Sequence, residues 1–286
     1  MKIRKIRLHV GAEKPFTLFH MSDNHICLAD SRDNERKNTL AVSRNEAFTR
    51  NSPPDRQTKN TEELLDYVKA AGAPLLHTGD FIDFTSEANF DYARRTLAGV
   101  DVLMAAGNHE FSQYVGEAWE DEAYKAETMA NVLAAFPDGI LFGVRLICGV
   151  KIITLDNNYY YVTPELLDRL KTELSDGIPA ILAMHNPLFS EDLYSQVTAG
   201  KKPEDPPYLV GCPEERLRSL SEHRYNQQKP DAVTTEFLHF CESCPNLRAV
   251  LAGHLHKFYE SNLDSGIPQI VCTASCVGEM IEYEIL

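Results

Sequence analysis

The sequence predicts an α/β fold in which two packed mixed β-sheets are flanked by helices on their outer faces. In the first half of the chain, short apolar runs alternate with helical patterns, which is typical of β-α-β units and a largely parallel sheet. In the second half, β-rich runs lie close together as in hairpins. The 286 residues, 43% of them hydrophobic, are enough to bury a large core. We therefore expect a single domain over residues 1–286.

The first half of the chain begins with two strands. Ile6, Leu8 and Val10 alternate with polar residues, which predicts a half-buried strand. Thr61 is the expected N-cap of a helix that ends at Gly72, and Ser86 is the expected N-cap of the next helix. Further strands are predicted from the apolar runs at 16–21, 75–76 and 100–106.

The second half contains a predicted hairpin over 141–147 and 151–155, joined by a tight turn at Cys148-Gly149. Thr163 and Pro164 predict a helix start, because threonine is a good N-cap and proline suits the first helical position. Residues 235–240 are expected to be helical. The remaining β-rich segments are 180–184, 247–252, 259, 267–272 and 280–285.

Five short polar blocks follow apolar runs, and they carry the functional signal. In open α/β sheets ligands bind beyond the carboxyl ends of the strands, so we expect these blocks to converge. Each block alone is also typical of a turn or of a strand-end histidine, but five at strand ends argue against that interpretation. The blocks are Asp23-Asn24-His25, Gly79-Asp80-Phe81-Ile82-Asp83, Gly107-Asn108-His109-Glu110, His185 and Gly253-His254-Leu255-His256.

The side chains of these blocks predict a metal site. Carboxylate, amide and imidazole donors without cysteine suit Mn, Fe, Zn or Mg. The set holds more donors than one ion can use, which predicts two divalent or trivalent ions. Gly79, Gly107 and Gly253 are expected to let the backbone turn sharply beside them. The chain is therefore interpreted as a binuclear metal hydrolase.

The ordered set D-x-H, G-D-x-x-D, G-N-H-E, H and G-H-x-H resembles the calcineurin-like metallophosphoesterase superfamily, from Asp23 to His256. This resemblance implies a four-layer α-β-β-α fold. It also implies two metals bridged by Asp80 and by a water or hydroxide. Asp23, His25 and His256 would complete the first site, and the ligands of the second would be Asn108, His185 and His254.

By the same resemblance, His109 would bind no metal and would assist the leaving group beside the scissile phosphate. Asp83 and Glu110 are expected to orient their neighbours by hydrogen bonds rather than to bind metal. A water shared by two cations loses a proton easily and becomes a nucleophile, while the cations align the phosphate for in-line attack. The resemblance therefore implies a metal-dependent phosphoric ester hydrolase.

Departures from other branches of the superfamily bear on the substrate. Phe84 follows Asp83 where Ser/Thr protein phosphatases continue with Arg-Gly, and Asp83 stands where purple acid phosphatases carry a metal-binding tyrosine. With these two branches disfavoured, the motif set is similar to that of bacterial phosphodiesterases of the cyclic-nucleotide type. A small-molecule phosphodiester is the first choice of substrate, and a nucleotide or sugar phosphate monoester is the alternative. A metal-free protein-binding scaffold is the remote alternative, because some members of the superfamily have lost their ligands.

Three segments carry no motif and are expected to be insertions, at 29–60, 111–140 and 190–232. Segment 29–60 is basic and polar, and it is either a lid that contacts phosphate or, as we favour, a solvated loop. Within 190–232, Arg224 and Tyr225 are candidate substrate-binding residues, since a tyrosine ring stacks on a base and an arginine contacts phosphate. They would otherwise cap the core.

Composition narrows the partners and the location. Asp and Glu number 42 against 28 Lys and Arg, a net charge of −14 that disfavours a nucleic-acid polymer as substrate. Seven scattered cysteines, including the C-x-x-C at Cys241 and Cys244, are expected to be structural thiols. No signal peptide or membrane span is apparent, so the expected location is the cytoplasm, and the sequence does not indicate whether there is a protein partner.

Overall fold

The computed structural model of the chain describes residues 1–50, 52–112 and 122–286. Its described residues form eleven strands and nine α-helices, with three short 3₁₀ turns. The strands are β1 (Lys2–Leu8), β2 (Phe16–Met21), β3 (Leu75–His77), β4 (Val102–Met104), β5 (Phe142–Ile147), β6 (Val150–Leu155), β7 (Ala180–Ala183), β8 (Leu247–Ala252), β9 (Tyr259–Asn262), β10 (Pro268–Val271) and β11 (Glu279–Ile285). The helices are α1 (Glu35–Thr49), α2 (Arg56–Ala71), α3 (Glu87–Leu97), α4 (Glu122–Ala135), α5 (Pro164–Glu173), α6 (Glu191–Thr198), α7 (Glu214–Leu217), α8 (Glu222–Gln228) and α9 (Ala232–Ser243).

The strands form two mixed sheets. The first has the order β1-β11-β2-β3-β4, and the second has the order β5-β6-β7-β8-β10-β9. Strands β2, β3 and β4 are parallel, as are β6, β7, β8 and β10. The antiparallel pairs are β11 with β2, β5 with β6, and β9 with β10. Each sheet therefore has a set of parallel strands at its centre, and the carboxyl ends of these strands lie at the same edge of the sheet.

Three apolar layers stack through the molecule. Between the sheets, Leu18 and Leu76 of the first sheet pack in one buried cluster with Ile152 and Leu251 of the second. Outside the first sheet lie α2, α3 and α4, and outside the second lie α5, α6 and α9. This order of helix, sheet, sheet and helix confirms the predicted fold class.

Local sequence signals account for several boundaries. Ser86 Oγ accepts a hydrogen bond from the backbone N–H of Asn89 at 3.0 Å, so α3 begins as predicted. Thr163 caps α5, which opens with Pro164. Cys148 and Gly149 have φ values of 45° and 78°, the left-handed conformation that a tight two-residue hairpin turn needs.

Two expectations for the region before β3 were wrong. Thr61 is not an N-cap, because α2 already begins at Arg56, and the Thr61 hydroxyl instead accepts a hydrogen bond from Asn24 Nδ2 at 2.8 Å. Segment 29–60 is not a solvated loop, because it contains helix α1. Only Thr49 of α1 is fully buried, so this helix lacks the apolar periodicity by which helices are recognised in a sequence.

The other predicted insertions contain helices as well. Segment 190–232 holds α6, α7 and α8. Of segment 111–140, residues 113–121 lie outside the described residues, and α4 follows them. The organisation as one domain with three insertions stays a prediction. Among the described residues, no helix combines the length and apolar character needed to cross a membrane. All seven cysteines are free, and six of them are buried, including Cys241 and Cys244.

Candidate metal centre

The five polar blocks predicted from the sequence lie in loops that follow β2, β3, β4, β7 and β8. We call these the strand-end loops: residues 22–25, 78–83, 105–110, 184–186 and 253–256. Because β2, β3 and β4 are parallel to one another, and β7 to β8, their carboxyl ends share one edge of each sheet. The two sheets face each other across a common core, so the loops of both sheets meet at a single place.

The backbone of the strand-end loops is strained at the residues that carry donor groups. Left-handed φ values between 48° and 69° occur at Asp23, His25, Asp80, His254 and His256. Such a conformation costs a side-chain-bearing residue about 1–2 kcal/mol. Strain of this kind persists where the surrounding structure enforces it, and it is concentrated at functional sites.

Glycines allow the strand-end loops to approach one another closely. A Cβ on Gly107 would lie 2.1 Å from Asp80 Oδ1, and a Cβ on Gly253 would lie 1.8 Å from Ser22 Oγ. Gly79 has a φ of 92° and also contacts the Gly107 backbone. Only Gly79 of the three therefore needs its conformational freedom for a turn, and the other two are required for close approach.

Four residues form the first group of donors: Asp23, His25, Asp80 and His256. His25 Nε2 lies 2.9 Å from His256 Nε2 and 3.7 Å from both Asp23 Oδ1 and Asp80 Oδ2. His256 Nε2 lies 3.3 Å from Asp23 Oδ1. Asp23 Oδ1 is buried and has no hydrogen-bond partner among the described residues. These donor atoms converge on one small volume.

The second group shares Asp80 with the first and adds His185 and His254. His185 Nε2 lies 3.1 Å from Asp80 Oδ2 and 3.1 Å from His254 Nδ1. Asn108 Oδ1 is also buried without a hydrogen-bond partner among the described residues. Six of the seven predicted ligands thus form two groups with Asp80 common to both, and the seventh, Asn108, lines the same cavity as Asp80.

In His25 and His185, the ring nitrogen that points away from the donor groups, Nδ1, already has a hydrogen-bond partner. His25 Nδ1 lies 2.9 Å from Asp83 Oδ1, and His185 Nδ1 lies 2.6 Å from the Thr78 carbonyl oxygen. Both partners only accept hydrogen bonds, so the rings donate from Nδ1, and in the neutral ring Nε2 offers a lone pair. Ring nitrogens that face each other this closely, beside two orphaned buried oxygens, need a proton or a metal ion between them. The residues present therefore fit two metal ions.

Tyr160 supports the second group in a way that no sequence pattern indicated. Its hydroxyl lies 2.8 Å from His254 Nε2, while His254 Nδ1 faces His185. Tyr160 is almost fully buried and has a left-handed φ of 62°, so its ring position is fixed by packing and by a strained backbone. A hydrogen bond to the outer nitrogen of a ligating histidine sets which nitrogen faces the metal.

Electrostatics of the site favour positive charge. Burial opposes a charge on His185, but the Asp80 carboxylate raises the pKa of His185 to about 9. Burial likewise opposes ionisation of Asp83, while hydrogen bonding from His25 and the charge of His109 lower the pKa of Asp83 to about 2. Carboxylates held this close together in a buried place attract either protons or metal ions.

His109 belongs to neither of the two groups that contain Asp80, and it lies instead in a cluster with His25 and Asp83. Its backbone N–H donates to Asp80 Oδ1 at 2.9 Å, and its Nδ1 donates to the backbone carbonyl of Asp83 at 2.6 Å. Nε2 lies 3.9 Å from Asp80 Oδ2, and the side chain is 14% exposed and lines the cavity. Burial lowers the pKa of His109, although Asp80 and Asp83 oppose this effect. Nε2 is therefore the nitrogen that faces the cavity.

Glu110 fixes the two loops that carry Asp80 and Asn108. Its carboxylate oxygens accept hydrogen bonds from the backbone N–H groups of Gly107, Asp80 and Phe81 at 2.6–2.8 Å. Burial and the neighbouring Asp80 raise the pKa of Glu110 to about 8, against the effect of these backbone donors. The backbone hydrogen bonds favour the ionised carboxylate, but burial and the Asp80 charge outweigh them.

Helix α1 delivers two further side chains to the site. Arg44 Nε and Nη2 donate to the Asp83 carboxylate at 2.9 and 3.3 Å. The Phe48 ring stacks on the His25 ring, with centroids 4.8 Å apart and an interplanar angle of 20°. Arg44 lies in segment 29–60, whose basic composition did not indicate that this arginine contacts Asp83. Such a contact depends on where the helix docks.

A cavity of about 440 Å³ opens above the metal centre. Its floor is formed by residues of the strand-end loops, among them Asp80, Asn108, His109, His254 and His256. We call the helical residues around it the helical rim: Arg44 of α1, Val197 of α6, and Arg224 and Gln227 of α8. Arg224 thus lies at the cavity as predicted from the sequence. Tyr225 does not line it, and its hydroxyl instead donates to Glu214 at 2.7 Å.

Comparison with known proteins agrees with this site. A family described as calcineurin-like phosphoesterase matches residues 16–258, whereas no curated protein matches the chain. The structure is similar to a dimetal phosphatase from Danio rerio, with a TM-score of 0.51 and 14% identity over 91% of this chain and 88% of that one. It is less similar to a putative 5′-nucleotidase from Staphylococcus aureus, with a TM-score of 0.46 and 13% identity over 92% and 49%. The calcineurin-like phosphoesterase YfkN from Bacillus subtilis has a TM-score of 0.42 and 11% identity over 92% and 82%.

The matched range includes all five strand-end loops and most of the chain. Proteins of this family are phosphoric ester hydrolases that use two metal ions, and the shared Asp80 with its two donor groups suits such a pair. The predictions of the superfamily, of an enzyme and of two metal ions are confirmed. The chain belongs to the calcineurin-like phosphoesterase family.

Proposed function

We propose that this enzyme hydrolyses a phosphodiester bond in a small molecule. The observation that carries the proposal is the pair of donor groups that share Asp80, with ring nitrogens as close as 2.9 Å and two orphaned buried oxygens. Such a constellation has no use in packing, because facing lone pairs and bare carboxylates destabilise a protein without cations. When bound, the two ions supply an activated water nucleophile and positive charge for the phosphate oxygens.

The proposed ligands follow from the two groups. Asp23, His25 and His256 would hold one ion, and Asp80 would bridge the pair. Asn108, His185 and His254 would hold the other ion. Asp83 and Tyr160 fix the rings of His25 and His254 from outside the site, at 2.9 and 2.8 Å. Glu110 holds the loops of Asp80 and Asn108 in register through their backbone N–H groups.

His109 is the proposed general acid. Its Nδ1 donates to the Asp83 carbonyl, so the transferable proton is the one that Nε2 carries in the protonated imidazolium form. As the new bond from water oxygen to phosphorus forms and the bond to the leaving oxygen breaks, that proton passes to the departing alkoxide. A positioned imidazole of this kind typically accelerates a reaction by about 10²–10⁴-fold.

The shape of the cavity supports a diester. Phosphorus in a diester carries two organic groups, so the substrate needs room on both sides of the scissile phosphate. Arg44 and His109 line the cavity from the first-sheet side, and Tyr208 and Arg224 line it from the second-sheet side. A cytoplasmic location, manganese or iron as a bound metal, and the exclusion of a nucleic-acid polymer as substrate stay predictions.

Turnover of bis-p-nitrophenyl phosphate and of p-nitrophenyl phosphate, with Mn²⁺ added, tests the proposal. We expect faster cleavage of the diester, and we expect His109→Ala to lower turnover by about 10²–10⁴-fold while it keeps its metal. Preference for the monoester would instead assign a phosphatase acting on nucleotides or sugar phosphates. Equal loss of metal in His109→Ala would contradict the role given to this histidine.

A further inference from the structure

Three cations beside the metal centre are given no role in metal binding or in proton transfer by the proposed function. Lys201, Arg224 and Lys257 line the same cavity as Asp80 and His109. Within the described parts of the chain, no carboxylate lies within ion-pair distance of any of them. Arg224 donates to a neutral acceptor, Gln227 Oε1, at 2.7 Å. Unpaired cations grouped around a cavity are unexpected in a chain with a net charge of −14.

The Lys201 and Lys257 ammonium groups repel each other, and the nearby Asp205 carboxylate opposes the effect of this repulsion on Lys201. Burial lowers the pKa of Lys201, Asp205 opposes this, and the Lys257 ammonium lowers the pKa further. Like charges held near each other destabilise the folded protein unless an anion lies between them. An anionic ligand would relieve this repulsion.

The position of the cations ties them to the catalytic centre. Lys257 directly follows the proposed ligand His256. The Arg224 guanidinium lies 5.7 Å from the centre of the Tyr208 ring, and that ring lies 5.6 Å from the ring of His254. A cavity of about 440 Å³ is large enough for a molecule of nucleotide size. One ligand can therefore reach both the metal centre and the cations.

We propose that Lys201, Arg224 and Lys257 form a subsite for a second phosphate group on the substrate. The substrate would then be a small phosphodiester that also carries a phosphate monoester. A terminal phosphate has about two negative charges and three acceptor oxygens at neutral pH, which suits three separate cations better than a carboxylate does. This inference rests on the proposed function, and it adds the class of substrate.

Two esters that differ by a single phosphate test the subsite. They are thymidine 5′-(p-nitrophenyl phosphate) and its 3′-phosphorylated counterpart, and both release p-nitrophenol. We expect wild-type kcat/KM to be about tenfold higher for the 3′-phosphorylated ester, the value of roughly one charged hydrogen bond. In Lys201→Ala/Arg224→Ala this ratio should fall to about one. Lys202→Ala removes an exposed neighbouring charge outside the cavity and should keep the ratio.

Binding gives a second readout that needs no turnover. In Mn-loaded His109→Ala, calorimetry should show about tenfold tighter binding of thymidine 3′,5′-bisphosphate than of thymidine 5′-phosphate. The added substitutions Lys201→Ala and Arg224→Ala should remove that preference. Equal affinities in the parent, or a preference that survives those substitutions, would overturn the subsite. The binding preference could be lost in the substituted protein as expected while the wild type cleaves neither ester. That result would support the subsite and refute the proposed hydrolysis.

Discussion

The strand-end loops and the helical rim surround the same cavity but are built differently. Several donor residues of the loops, among them Asp23, Asp80 and His185, are almost completely buried and closely follow sheet strands. In the rim, Arg44 has a side chain that is 27% exposed, and its helix α1 has a single buried residue. The loops hold their groups by strain and close backbone contact, whereas the rim holds its groups by side-chain contacts that water can replace.

This difference predicts how each region responds to change. A buried loop has no space to accommodate a misplaced atom, because protein interiors are close-packed. A partly exposed side chain on a surface helix can be lost with a small effect on folding. Substitutions in the strand-end loops should therefore abolish metal binding, while substitutions in the rim should alter substrate use and leave the metal centre in place.

The largest effect is expected for Gly107→Ala. The new Cβ would lie 2.1 Å from Asp80 Oδ1 and 2.3 Å from Asp80 N, so the shared ligand must move. We expect loss of most of the bound metal and a loss of about 1–3 kcal/mol of unfolding free energy, measured by elemental analysis and thermal melting. Gly99→Ala is the control, because its Cβ meets no atom within 4 Å and it carries only the strain of φ +72°. Wild-type metal content in Gly107→Ala would show that the loops are not rigid.

An intermediate effect is expected for Tyr160→Phe. This change removes only the hydroxyl that lies 2.8 Å from His254 Nε2. Loss of such an outer partner typically lowers metal affinity or activity by about 10–100-fold. Titration of the metal-free protein with Mn²⁺ would measure the change in metal affinity. Tyr92→Phe is the control, because the Tyr92 hydroxyl donates to the Thr58 carbonyl away from the site. An unchanged Mn²⁺ affinity would remove Tyr160 from the support of the metal centre.

The smallest effect is expected for Arg44→Ala. Arg44 contacts His25 indirectly, through Asp83 and the Phe48 ring, and water can replace part of its contact with the carboxylate. We expect kcat/KM for bis-p-nitrophenyl phosphate to fall by about tenfold, with two metal ions retained and little change in melting temperature. Lys37→Ala on the same helix lies outside the cavity and serves as the matched control. Loss of metal in Arg44→Ala would place the rim within the rigid centre.

The same contrast explains what could be predicted from the sequence. Each strand-end block sits within a few residues of the apolar run that positions it, so Asp23, Asp80 and His254 could be placed from local pattern alone. Parallel strands then bring the blocks together without further information. Strand β2, the hairpin turn at Cys148-Gly149 and the caps Ser86 and Thr163 were predicted for the same reason, because their signals are local.

Residues that act through docking could not be predicted. The pairing of Arg44 with Asp83 spans 39 positions, and the pairing of Tyr160 with His254 spans 94. Helix α1 has almost no apolar face, so nothing in its pattern indicates where it packs. Thr61 was misassigned because its hydroxyl serves a buried contact with Asn24 rather than a helix end. Tyr225 was proposed as a substrate-binding residue, but of Tyr208 and Tyr225 only Tyr208 lines the cavity.

Metal content after growth in Mn-supplemented medium tests the central claim most directly. The shared position of Asp80 predicts about two ions per wild-type chain and nearly none in Asp80→Ala, because that variant removes a donor from both groups at once. Elemental analysis of both proteins, with folding verified by circular dichroism, gives the answer. Nearly no metal in the folded wild type would contradict the binuclear centre and favour a protein-binding scaffold. A wild-type metal content in Asp80→Ala would contradict the bridging position of this carboxylate.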